Sequence, residues 1–430
     1  MTNDLDDQLT RTLREHAGDA GTPRLDLDAV RGRARRIRRT RTALVGAGAA
    51  AVVLAVVAPL GLLGGGSSDR SVDPATSGTA SAEIPAVQGE SITIDLDALP
   101  TGVPAGVPYL LDDAIHLPGG ATYTLEGEPG ASLVGDVVPF GQGEWLATVA
   151  PGDGVYELRH LSADGDLVET VAGPEEGLTV GTTLAYDPAT ARVAWVEQPV
   201  DAAAAAGRLE LVVADADGVE ISRTDVPAGD GSVPSAAPLA FRGDDVVVTT
   251  GDSLATATLL MGLDGTVDEL ASELTDAVSP DGELAVRTSY SADGDCATVR
   301  RVEDDEPLGW STTGCRSYGT FSTDSRMVLA GPSESQVAYN GNAESIIDAE
   351  SGESIVEIGL PTGMQTFVYA GAWENARTLL VSVKQSVSDN APARYGLVRI
   401  DVTTGRADLA APIEEYDPLY DNGEARFYVR

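Results

Sequence analysis

Positive charge is scarce in this 430-residue sequence. Its 28 Lys+Arg stand against 67 Asp+Glu, the formal net charge is -39, and Lys384 is the single lysine. Such a chain repels nucleic acid and acidic polymers and attracts cations or basic partners, and the same acidity keeps an exported domain dispersed. Cysteine is nearly absent: Cys296 and Cys315 are the only two. With no further Cys or His near them, a zinc site is excluded. In an oxidising compartment the pair reads as a disulfide closing about a 20-residue loop, a stabilisation of roughly 3 kcal/mol in the chain-entropy model.

Histidines are few as well, namely His16, His116 and His160. No G-x-S-x-G occurs, so a nucleophile elbow is missing and a Ser-His-Asp hydrolase is not supported. His116 and His160 fall in hairpin units, near strand-to-turn positions where an exposed polar residue is expected. Acidic turns at Asp164/Asp166, Asp215/Asp217 and Asp293/Asp295 invite a calcium reading, but none has the ligand spacing of an EF-type loop. They read as hairpin turns, and no cofactor or metal is expected. Aromatics make up 5% of the chain. Trp145, Trp195, Trp310 and Trp373 could line a recognition face, although buried packing is the plainer job.

One long apolar run is present. Ala43 to Leu63 carries no charged residue and meets the roughly 20-residue requirement of a bilayer-spanning helix. Arg31, Arg33, Arg35, Arg36, Arg38, Arg39 and Arg41 precede it, and the next charge after it is Asp69. This asymmetry predicts a single-pass anchor at 42–63 with a cytoplasmic N-terminus and an extracytoplasmic C-terminal part. A cleaved signal peptide is the competing reading, opposed by the long leader and the lack of a small-x-small site. Residues 1–41 carry 10 Arg against 7 Asp/Glu; the 18 basic and 60 acidic residues that remain all lie beyond the run.

Within 1–41, Asn3 or Asp4 can cap a helix with Leu5, Leu9 and Leu13 on one face. That stripe could hold a cytoplasmic protein, or the segment could be a weakly helical tail at the membrane. Residues 64–91, rich in Gly, Ser and Pro, predict a flexible linker with an r.m.s. reach of about 25–30 Å. Ile92, Ile94 and Leu96 then alternate as a first short strand.

Two units recur from there to residue 430. One is a turn followed by an apolar strand: FGQGEWLATVA (140–150), YDPATARVAWVE (186–197), FRGDDVVVTT (241–250), SPDGELAVRT (279–288), STDSRMVLAG (322–331), WENARTLLVSV (373–383) and YDNGEARFYVR (420–430). Their starts are spaced like the blades of a propeller, at forty-odd residues. The other is a hairpin with a Gly turn, as in ELRHLSADGDLVETV (157–171) and LVRIDVTTGRADLA (397–410). TVRRVEDDEPLGWST (298–312) is a degenerate copy. Asp-Gly and Ser-Gly supply the positive φ of tight hairpins.

The series opens with a hairpin at 115 and closes with a turn-strand unit. A shared last blade is therefore predicted, with inner strands from the C-terminus and outer strands from the N-terminal side, which removes free sheet edges. The predicted fold over 92–430 is all-β, a seven-bladed β-propeller with six to eight as the range. SPDGELAV and YDPATARVAWV resemble the repeat motif of TolB-type and WD40-like propellers. With LDLDAVRGRARRIRR and LDALPTGVPAGVPYLLDDAIHLPGG, the layout resembles actinobacterial single-pass membrane proteins with a propeller ectodomain. That resemblance implies fold and topology, not an activity.

Three functions remain open. The first is a non-enzymatic envelope module binding a protein, peptide or glycan. The second is a transmembrane regulator whose N-terminal helix holds a partner such as a sigma factor. The third is an exported enzyme using the propeller as scaffold.

Overall fold

The computed structural model describes residues 90–111, 114–125, 133–151, 155–200, 208–227, 235–251, 256–291, 294–312, 316–332, 344–359, 361, 364–387, 392–416 and 427–429. The segment 1–41 with its arginines Arg31 to Arg41, the span 42–63, most of the linker, and Cys315 lie outside the described residues. Among the described residues there are strands, two short 3-10 turns and no α-helix, and no helix long and apolar enough to cross a membrane.

The strands form six hydrogen-bonded sheets. Sheet 1 joins Phe427–Val429 to Tyr109–Leu111, Ala114–His116 and Thr122–Thr124. Sheet 2 runs from Leu133 to Ala172, sheet 3 from Leu178 to Val226 and sheet 4 from Ser235 to Ala271. Sheet 5 has eight strands, of which seven lie between Leu274 and Gly359 and one is Glu90–Thr93. Sheet 6 runs from Gln365 to Tyr416. Apart from Glu90–Thr93, Phe427–Val429, and the short strands Leu178–Val180 and Glu414–Tyr416, which pair with Arg192–Pro199 and Ala393–Asp401, the strands of each sheet follow one another in antiparallel meanders. The single pair Ala297↔Arg316 joins the two halves of sheet 5.

Burial on both faces explains the apolar runs of the repeats. Along Asp245–Gly251, Val246 and Val248 enter a core with Val196 and Leu211 of sheet 3, while Val247 enters another with Val278 and Ala285 of sheet 5. The period of two sends alternate side chains to opposite neighbours, so a strand between two sheets has no polar face. Outer strands face water instead, and Glu220–Val226 is largely exposed.

Each core joins consecutive sheets. Ile115 and Tyr123 meet Trp145 and Val149 between sheets 1 and 2. Phe140 and Leu158 meet Trp195 and Val212 between sheets 2 and 3. Val286 and Val299 meet Phe321 and Val328 between the halves of sheet 5. Leu329 and Val356 meet Trp373 and Val381 between sheets 5 and 6. Leu380 and Tyr395 of sheet 6 meet Phe427 of sheet 1, closing the cycle. Consecutive meanders packed face to face and closed end to start define a β-propeller.

The closing sheet differs from the expected division. Among the described residues, one strand, Phe427–Val429, comes from the C-terminal unit and three come from the N-terminal side. Tyr109–Leu111 occupies the place expected for a second C-terminal strand. At three residues it is too short to display alternation, and only its pairing with Phe427–Val429 reveals it. The degenerate hairpin also loses a strand. Gly294–Arg301 is followed only by the isolated bridge Arg300↔Pro307, because proline has no N–H to extend a ladder.

The SPDG turn explains its own residues. The Ser279 hydroxyl donates to Asp281 Oδ1 at 2.6 Å and accepts the Leu284 N–H at 2.9 Å, and Asp281 Oδ1 accepts the Glu283 N–H at 3.0 Å. Gly282 takes φ 75°. Ser322 and Asp324 repeat the arrangement at 2.7 Å, and the Asp281 N–H donates to Ser325 Oγ at 3.2 Å, tying neighbouring turns. Asp281→Ala is expected to lower stability by about 1–2 kcal/mol, read from urea denaturation; an unchanged midpoint would contradict this role.

Residues 90–108 form a strap. Glu90–Thr93 pairs in parallel with Ser354–Gly359, starting inside the expected linker range. Ile94 and Leu96 are fully buried between sheets 5 and 6. Beyond them, Leu409 N–H donates to Pro100 O at 2.9 Å. The Arg399 guanidinium donates to Val103 O and Pro104 O, both at 2.8 Å. Gly106 N–H then reaches Glu374 Oε1 at 2.5 Å before the chain enters sheet 1.

Candidate functional site

Antiparallel meanders send alternate connections to opposite ends of the ring. One end collects tight turns, including 162–166, 215–219, 279–283, 322–326, 349–353 and 402–405. The acidic residues there mostly serve the turns. Asp215 Oδ1 accepts the N–H groups of Asp217 and Val219, each at 2.9 Å. Asp348 Oδ1 accepts Ser351 N–H at 2.7 Å and Asp401 Oδ1 accepts Thr403 N–H at 2.8 Å. Among the described residues no group of three His, Cys, Asp or Glu is arranged for a metal ion. Asp293 lies outside the described residues.

Tight turns of neighbouring sheets are also stapled. Arg192 donates to Asp187 Oδ2 at 2.9 Å within its own turn, and to Asp244 Oδ1 at 2.9 Å and Gly243 O at 2.6 Å in the next sheet. For Asp187, burial works upward, but hydrogen bonds from Thr190, Arg192 and the Ala189 N–H outweigh it and hold the carboxyl below its usual range. Stability from this group is therefore present above the ordinary carboxylate range and lost as pH falls through the lowered folded pKa.

His160 is the histidine that meets carboxylates. It projects from Glu157–Leu161 in sheet 2, about 9% exposed, with its Nε2 2.8 Å from Glu144 Oε2 and Nδ1 3.7 Å from Glu169 Oε1. The Phe140 ring meets it edge-on at 5.0 Å. Both carboxylates are substantially exposed. The arrangement sets two carboxylates against one imidazole. Among the described residues no hydroxyl or thiol is hydrogen-bonded to His160, so a nucleophile–base pair is not assembled around it.

His116 lies apart, stacked on Tyr109 at 4.7 Å in the closing sheet. Trp145, Trp195 and Trp373 are buried in cores between sheets. Trp310 is only partly buried and donates from Nε1 to Glu350 O at 2.9 Å, its ring lying over Gly352. A cavity of about 10 Å³ beside Tyr109, Leu110, Val134 and Asp136 has room for about one water, far below the few hundred Å³ of small-molecule sites.

Several buried polar groups carry no local sequence signal. The Asp136 carboxylate accepts Leu184 N–H of sheet 3 at 3.0 Å. Glu197, 4% exposed, is bracketed by Trp195 Nε1 at 2.8 Å and Arg223 at 2.7 Å. Arg287, 1% exposed, donates to Thr258 at 2.6 Å and Asp305 at 3.1 Å while Nη2 has no partner. Burial lowers its pKa, with Asp305 opposing. Apart from Trp195–Glu197, two residues apart, these contacts join residues 18 to 48 positions apart, so spacing cannot reveal them.

No protein-family model and no curated protein matches this sequence. Among solved structures, the chain is similar to a post-proline cleaving enzyme from Rickettsia typhi, with 11% identity, 67% of this chain and 46% of that chain covered, and a TM-score of 0.45. It is similar to TolB from Acinetobacter baumannii at 15% identity, covering 67% of this chain and 81% of that one, with a TM-score of 0.37. A chain of a nidogen/laminin complex shows 12% identity, coverage of 60% and 90%, and a TM-score of 0.34. The match spans about half, 51%, of one prolyl endopeptidase.

Proposed function

We propose that this chain is a membrane-anchored, extracytoplasmic β-propeller acting as a binding or scaffold module for a protein, peptide or glycan at the cell envelope. The observation that carries the binding reading is the cyclic packing. Each sheet is buried on both faces, so a partner can meet only the two ends and the outer rim. The anchor reading rests on the apolar run Ala43 to Leu63 and the arginines before it. A seven-bladed reading divides sheet 5 at its joining pair Ala297↔Arg316, and it is supported by the seven cores between consecutive meanders among the described residues.

Carbonate extraction and external proteolysis of cells expressing the full chain test the topology. The protein should stay in the membrane pellet, with residues beyond 64 digested and 1–41 protected. Release into the supernatant would overturn the anchor. Screening the membrane-reconstituted chain against glycan and peptide arrays tests binding, and turnover of a bound ligand would overturn the non-enzymatic reading.

A Cys296–Cys315 disulfide belongs to the same proposal. Its support is the antiparallel pair Ala297↔Arg316, which brings the two cysteine-bearing segments side by side. Denatured, unreduced protein should show no free thiol. Cys296→Ser is expected to lose roughly 3 kcal/mol, and two titratable thiols in the parent would refute the bond.

A further inference from the structure

We infer that the ring is presented with its tight-turn end toward the membrane and its opposite end away from it. This rests on the anchor reading above. The argument is strand polarity. Ser354–Gly359 follows the tight turn 349–353 and therefore runs away from that end. Glu90–Thr93 lies parallel to it, in the register Glu90↔Val356 to Thr93↔Gly359. The backbone thus enters the ring from the tight-turn end and climbs toward the other.

The strap locks this entry. Ile94 N–H donates to Gly359 O at 3.0 Å, Gln385 holds Ile94 and Leu96, and Asp97 pairs with Arg394 at 2.7 Å. All of these lie near the far end of their strands, so the strap cannot pivot about Glu90 without unmaking a buried core. A tether reaching residue 90 therefore pulls on the tight-turn side.

Magnitudes decide whether this orients the ring. The sequence places a flexible tether with a reach of about 25–30 Å before Glu90. A nine-residue strand such as Thr378–Ser386 spans a similar length, about 30 Å. The attachment, level with Val356, biases the tight-turn end toward the bilayer, and because the tether is flexible the mean height difference is smaller than the strand length. Repulsion between acidic turns and anionic headgroups decays over about 8 Å at physiological salt. It keeps the turns off the bilayer without inverting a ring held farther out.

The test is energy transfer from the full chain, reconstituted in vesicles, to acceptors on lipid headgroups. Thr404→Cys labels the tight-turn end and Val387→Cys the opposite end of the same blade. Transfer should be stronger from position 404 than from position 387. Equal transfer, or stronger transfer from 387, would overturn the inference. Thr266→Cys and Ser235→Cys repeat the comparison in sheet 4 should the first pair fail to fold. Failure of the protein to float with vesicles would instead refute the anchor, a separate outcome.

Discussion

Replacing Gln385 by alanine is expected to reduce stability by about 3–5 kcal/mol. Gln385 is fully buried, and its amide is used at both ends: Nε2 donates to Ile94 O at 2.7 Å and Oε1 accepts Leu96 N–H at 3.1 Å. The strap between sheets 5 and 6 has its polar backbone in an apolar core, where an unmade hydrogen bond costs about 1–3 kcal/mol per group. Alanine orphans two such groups and leaves a void. Gln385→Glu keeps the acceptor but sets a carboxylate against Ile94 O in an apolar core, so at neutral pH it should cost at least as much as alanine. Thermal melts followed by circular dichroism provide the measurement. A loss below about 1 kcal/mol would mean that the strap is held by its side chains Ile92, Ile94 and Leu96 alone.

Glu344→Gln is expected to act in the opposite direction. Glu344 begins the strand Glu344–Asp348 with its carboxylate against Gly331, where a Cβ would overlap it. Burial pushes its carboxyl up to about 8, from an ordinary 4.5. The folded state therefore binds more protons than the unfolded one between those values. Stability falls as pH rises through that window and levels off above about 8. At about 1.4 kcal/mol per pKa unit, and allowing for the part of the side chain that reaches solvent, glutamine should gain on the order of 2 kcal/mol at pH 7. At pH 4 the gain should vanish. Parallel pH–stability profiles for parent and variant would show that the carboxyl titrates normally.

Both effects arise at residues with no local signature. Gln385 ends a run, LLVSVKQ, whose alternation announces a strand, yet its partners are 289 and 291 positions away. Glu344 looks like any acidic residue in an acidic chain. The SPDG and DG turns were legible because their chemistry is local: Ser279, Asp281 and Gly282 form one turn from adjacent residues. His160 was legible as a strand-to-turn residue, but not as the neighbour of Glu144 and Glu169, which reach it across strand registers. The closing sheet combines a C-terminal strand with N-terminal ones, as expected, but the place of Tyr109–Leu111 was not legible because three residues are too few to show a period.

By itself, the sequence determined what depends on short separations. It set the turns through their Asp, Ser and Gly residues, the strands through alternate or continuous burial, and the expectation of an anchor through one uncharged run behind arginines. Tertiary structure alone decided which strands meet across the closure and where residues 90–108 lie. It also decided which buried charges find partners. Those outcomes depend on cyclic packing, in which each sheet's outward pattern is the same whichever neighbour covers it. Only closure selects the neighbour.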